Sequence, residues 1–137
     1  MIEFRFRCLA GCTKCCQQRG YVYLTGQDLK RAAAFLNMSA RAFEARWVYR
    51  TAHLLRLRKP RGAQCPFLDE RGCRIHEAKP TQCRAFPFWP ELVSSPREWR
   101  REAARCPGIG RGRRVAAATA LRIAGQMRES YPGMYEP

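Results

Sequence analysis

The sequence has no apolar run approaching the length of a membrane span. The longest near any helix, Val115-Ala116-Ala117-Ala118-Thr119-Ala120-Leu121, falls far short of roughly 20 residues. The opening stretch, Met1-Ile2-Glu3-Phe4-Arg5-Phe6-Arg7-Cys8, has no apolar h-region. That predicts a cytoplasmic protein with no signal peptide and no membrane contact. There is no internal repeat and no low-complexity segment. At 137 residues the chain cannot form a barrel enzyme of about 250 residues, and its length suits one domain with a modest core. Acid is scarce: 11 Asp and Glu face 26 Lys and Arg, of which 22 are Arg, for a formal charge of +15. Histidine occurs only twice. Hydrophobic residues reach 46%, which excludes a disordered tail.

What is abundant is cysteine. Eight in 137 residues is less than a tiny disulfide scaffold carries. In a leaderless chain, clustered cysteines bind metal or do redox chemistry more often than they pair.

The pattern predicts an α-rich, irregular small domain organised by metal, with several short helices, little sheet and cysteine-rich loops. Residues 1–20 read as a loop holding four cysteines. Tyr21-Val22-Tyr23-Leu24 reads as a short strand. Thr25 is a candidate N-cap, with Asp28 at the third helical position in place of the usual Glu. Leu29, Ala32, Ala33 and Leu36 share a helical face. Ser39 starts a second helix, with Phe43, Trp47 and His53-Leu54 at helical spacing, ending before Pro60. Cys65 to Leu68 and Cys73 to His76 read as extended pieces joined by a turn at 69–72. Pro80 opens one helical turn through Cys83. Ser95-Pro96 starts a helix through Ala104, and a last helix covers 111–130. On that helix Ala117, Ala120, Leu121, Ala124 and Met127 form one stripe. The expected organisation is a cysteine-cluster domain over 1–112, with a basic helix and tail over 113–137 packed on it.

The cysteines run Cys8-x3-Cys12-x2-Cys15-Cys16, then Cys65-x7-Cys73-x9-Cys83, then Cys106. A tetrahedral zinc or a four-iron cluster takes four thiolates, and eight is twice four. Adjacent Cys15 and Cys16 chelate one tetrahedral ion poorly, because their side chains start in different directions. They suit two neighbouring sites or different metals of one cluster. The spacing of Cys8, Cys12 and Cys15 equals that of the radical S-adenosylmethionine cluster motif. That activity needs a large barrel and a glycine-rich cofactor segment, and neither is present. Zinc ribbons use two CxxC knuckles, whereas Cys12-Thr13-Lys14-Cys15 is the only one here. The reading therefore favours an iron–sulfur cluster of the 4Fe-4S type, with zinc as the alternative.

Several stretches carry a family resemblance. They are Phe6-Arg7-Cys8, Cys12, Cys15-Cys16, Gly20 with Tyr21-Val22-Tyr23-Leu24-Thr25, Cys65-Pro66-Phe67-Leu68, Cys73-Arg74-Ile75-His76, Lys79-Pro80, Cys83-Arg84-Ala85-Phe86-Pro87-Phe88 and Cys106-Pro107-Gly108-Ile109-Gly110. Together, over about residues 4–112, they resemble the YkgJ-type cysteine-cluster family of zinc- or iron-chelating domains. The pattern departs at Lys79, where Arg usually precedes the proline, and at His76, where Tyr is common. The resemblance implies bacterial metal chelation by all eight cysteines and no settled reaction. Flagellin lysine methylases carry a similar cluster, but this chain lacks the rest of such an enzyme.

Other residues are secondary. Arg84 is a candidate donor to cluster sulfur, where hydrogen bonds tune potential. His76, three residues after Cys73, is a weaker ligand candidate, and His53 reads as structural. Phe86, Phe88 and Trp89 are expected to cover the site. No catalytic dyad is visible. Two four-thiolate sites would each bring −2, leaving +11 from +15. Basic proteins attract nucleic acid. Yet the arginines are spread out and aromatics do not alternate with them along a strand, so nucleic acid is not the favoured partner. The favoured role is electron transfer, redox sensing or metal handling with a redox or protein partner. The alternative is a structural-zinc module binding nucleic acid or an acidic protein.

Overall fold

Local capping sets the helix starts. In the computed structural model, which describes residues 2–8, 21–52, 54–58, 67–69, 72–73 and 75–135, Thr25 caps helix α1 (Gly26–Phe35). Its hydroxyl accepts from the Asp28 N–H at 3.0 Å, and the Thr25 N–H donates to the Asp28 carboxylate at 2.9 Å. This reciprocal capping box satisfies two otherwise orphaned donors. Ser39 caps α2 (Ala40–Trp47) in the simpler way, accepting from the Ala42 N–H at 3.0 Å. Ser95 caps α5 (Pro96–Ala103), which follows the short helices α3 (Thr81–Ala85) and α4 (Pro90–Val93). The chain is helix-rich with small sheets, as the pattern predicts.

The second helix does not run on to Pro60. Past Trp47 come strands β3 (Val48–Arg50) and β4 (Leu55–Leu57), joined by a turn. There the Thr51 N–H donates to the Leu54 carbonyl at 2.8 Å, and its hydroxyl accepts from the Leu54 N–H. Val48 and Tyr49 favour extended backbone. Leu55-Arg56-Leu57 alternates buried, half-buried, buried, which is a strand's period. The helical spacing of Leu54 with Phe43 and Trp47 was therefore coincidental, and His53 lies outside the described residues.

The structure divides into two units, one made of Met1–Lys14 with Ala85–Pro137 and the other of Cys15–Arg84. In the second unit, β4 lies between β3 and the strand β2 (Tyr23–Leu24), all antiparallel. Leu24, Val48, Leu55 and Leu57 face a core shared with Leu29, Ala32, Ala33, Phe43, Phe67 and Ile75. Phe67 stacks on Phe43 at 5.9 Å between ring centroids, and Trp47 leans on it at 4.9 Å. Burying a side chain of this size stabilises by about 1.5–3 kcal/mol. The strands β5 (Leu68–Asp69) and β6 (Gly72–Cys73) pair antiparallel; they share only Leu68 and Cys73 with the expected extended pieces, and His76 lies in a 3-10 turn instead.

In the first unit, residues 111–114 are not helical. Strand β7 (Ile109–Arg114) pairs with β1 (Arg5–Phe6), and the last helix, α6, spans Ala117–Ser130. Phe6 faces Ile109 and Arg5 faces Arg114, so residues 110–113 bulge out between them. Gly110 and Gly112 hold φ of +93° and +85°, a region open mainly to glycine. The leading loop thus contributes a strand that only a partner about a hundred residues away could define. On α6 the buried stripe is Ala120, Ala124 and Met127; Ala117 and Leu121 are exposed. Ala120 and Ala124 pack with an aromatic core of Phe4, Phe86, Phe88 and Trp99. No helix among the described residues is long and apolar enough to cross a membrane.

Candidate metal centre

Two of the predicted ligand cysteines lie in the segments that flank one end of the β1–β7 ribbon. Cys8 follows β1 and is exposed; Cys106 follows α5 and is buried. The Cys106 N–H donates to the Glu102 carbonyl at 2.8 Å, and its own carbonyl accepts from the Ile109 N–H at 3.2 Å. Pairing continues past Phe6, where the Arg7 N–H donates to the Gly108 carbonyl at 3.1 Å. A Cβ on Gly108 would stand 2.4 Å from the Arg7 carbonyl oxygen. Only glycine permits this approach, which joins the residue before Cys8 to the residue two after Cys106.

Cys83 is held differently. It lies in α3, and a buried carboxylate on α1 anchors that helix. Asp28, 1% exposed, accepts from the Thr81 N–H at 2.9 Å and the Thr81 hydroxyl at 2.8 Å, besides its capping bond to Thr25 and an ion pair with Arg31. Gln82 accepts from the Tyr23 N–H at 2.9 Å through Oε1. Cys83 therefore sits on a turn fastened to both α1 and β2. Cys73 lies in β6 opposite Leu68. Cys12, Cys15, Cys16 and Cys65 lie outside the described residues. Among the described residues no three Cys, His, Asp or Glu side chains gather closely enough to hold a metal ion.

Arg84 is exposed on the last turn of α3, its N–H donating to the Pro80 carbonyl at 3.0 Å. His76 opens the 3-10 turn His76–Ala78. Phe86 and Phe88 pack edge-on against Phe6, each at 6.3 Å, so they support the strand that leads into Cys8. Sequence reasoning placed Asp28 as a cap but missed its grip on Thr81, and missed Gln82 and the close approach at Gly108. The Cys-Pro-Gly stretch was the available signal for the last of these.

The donor chemistry suits a thiolate-bound metal. Thiolates bind zinc and iron–sulfur clusters. Such sulfurs take hydrogen bonds from nearby donors. The Trp47 Nε1–H is buried without a partner, and its ring touches Phe67, two residues after Cys65.

Eight cysteines in 137 residues define the class as a small cysteine-rich chelating domain. The family model CxxCxxCC, whose name assigns its members zinc or iron chelation, matches residues 7–107, and the chain belongs to this family. That agrees with the YkgJ-type resemblance, and the matched range contains all eight cysteines. No solved structure matches the chain.

Proposed function

We propose that this metal-binding protein is an iron–sulfur protein of bacterial cytoplasm. Its eight cysteines, Cys8, Cys12, Cys15, Cys16, Cys65, Cys73, Cys83 and Cys106, would hold cluster iron of the 4Fe-4S type. The observation that carries this reading is the Cys8-x3-Cys12-x2-Cys15 spacing in a chain with only one CxxC. The cluster would supply one-electron chemistry, for electron transfer, redox sensing or metal handling. In this reading the chain's own part is to present thiols far apart in sequence: the bond from Arg7 to Gly108 fixes the backbone next to Cys8 and near Cys106, and Asp28 fastens the helix that carries Cys83. An exposed Cys8 suits exchange with a partner, and Arg84 is the candidate donor that tunes the sulfur.

The test is anaerobic purification from native cells, with iron, acid-labile sulfide and zinc measured together. A brown protein with iron and sulfide in equal amounts is the expected result. A colourless protein with stoichiometric zinc and no sulfide overturns it in favour of a structural-zinc interaction module. Recombinant zinc can displace iron, so the native source matters.

A further inference from the structure

The outer face of the three-stranded sheet is unusual. On the inner face Leu24, Leu55, Leu57 and Val48 are buried. The register puts Tyr23 and Tyr49 on either side of Arg56 on the other face. Tyr21, two residues before Tyr23, falls on the same face by the strand's alternation. The Arg56 guanidinium lies 3.9 Å from the Tyr21 ring centroid and 4.7 Å from that of Tyr49. Both tyrosines still keep 42% and 49% of their surface in solvent. The Arg56 Nε is buried and has no hydrogen-bond partner. Arg58, next on this face, spends only its Nε–H, on the Val48 carbonyl at 3.0 Å. Aromatics and arginine do not alternate along any one strand, but they do alternate across the sheet.

We propose that this face binds single-stranded nucleic acid, with bases stacked on Tyr21 and Tyr49 and backbone phosphates met by Arg56 and Arg58. Unpaired bases stack on exposed aromatic rings in a sequence-tolerant way, and guanidinium groups pair with phosphate. A duplex hides its base faces and cannot use the rings. An acidic protein surface would use the arginines but leave the tyrosines idle. Only a ligand that is both flat-faced and anionic uses everything the sheet presents, and a formal charge of +15 favours its approach.

The experiment uses the full-length, metal-loaded protein and a short fluorescein-labelled oligouridylate, read by anisotropy across a salt series. Tyr49→Leu should weaken binding about tenfold, whereas Tyr49→Phe, which keeps the ring, should bind like the parent. Tyr21→Leu, just before the opposite edge strand, gives an independent reading if the first variant folds poorly; circular dichroism and metal content monitor folding. Affinity should fall steeply with salt. Equal binding by the parent and both leucine variants would overturn the proposal. So would a duplex or a polyglutamate peptide binding as tightly as the oligonucleotide, or no binding at low salt. None of these readouts depends on which metal the cysteines hold.

Discussion

The two units position their cysteines by opposite means. Around Cys8 and Cys106 the work is done by backbone: a ribbon hydrogen bond from Arg7 to Gly108, and a glycine whose missing Cβ lets the strands touch. Around Cys83 it is done by side chains: one buried carboxylate gathers Thr25, Thr81 and Arg31, and Gln82 reaches Tyr23. A backbone clamp is indifferent to most substitutions and fails only where bulk is added. A carboxylate hub fails when a single atom group is removed, because several buried donors are orphaned at once.

The sharpest way to break this contrast is Asp28→Ala. It leaves the Thr25 and Thr81 N–H groups and the Thr81 hydroxyl without their acceptor, at a cost on the order of 3–5 kcal/mol. Denaturant unfolding should show this, and metal content should drop as α3 loosens around Cys83. Metal content unchanged in a destabilised protein would mean that Cys83 is placed by something other than this hub.

Gly108→Ala is the matching attack on the ribbon. The new Cβ meets backbone, which cannot swing aside as a side chain could, so the strands must part, at a cost of about 1–3 kcal/mol. The expected outcome is a modest loss of stability together with faster alkylation of Cys106. A substitution at the exposed Gly110 is the useful contrast. It has open space for a Cβ but a φ of +93°, so it strains the bulge without parting the strands.

The smallest expected effect is alkaline. The Tyr135 hydroxyl donates to both Glu91 carboxylate oxygens at 3.0 Å. Burial, and then the negative charge and hydrogen bond of Glu91, push its pKa well above the ordinary tyrosine value. The unfolded chain releases this proton near pH 10, whereas the folded chain keeps it. Stability is thus intact below about pH 10 and declines as pH rises further. Thermal unfolding of the parent and Tyr135→Phe should diverge on the neutral side and converge as pH rises through that range. Coincident curves would show that the contact contributes nothing, and parallel offset curves that its contribution is not linked to this proton.

The legible parts of this protein were local. Thr25, Ser39 and Ser95 are caps whose effect ends within a helical turn, so the residues alone announced α1, α2 and α5. The cysteine spacings, the short helix after Pro80 and the family likewise stood in the sequence. The end of α2 and the strand at Ile109–Arg114 were illegible for a common reason. In both stretches strand pairing overrode the helical reading: Val48–Arg50 folds back on Leu55–Leu57, and Ile109–Arg114 pairs with Arg5–Phe6.

Residue types and their spacing set the chemistry: eight thiols, a chelating family, a large positive charge and the places where helices begin. Folding decided which residues support the backbone around Cys8, Cys83 and Cys106. Asp28 reaches Thr81, Arg7 reaches Gly108, and Tyr21, Arg56 and Tyr49 assemble one surface from β3, β4 and the residues leading into β2. Each of these links joins segments far apart in the chain, and no local preference encodes a contact whose two halves meet only after the backbone has folded.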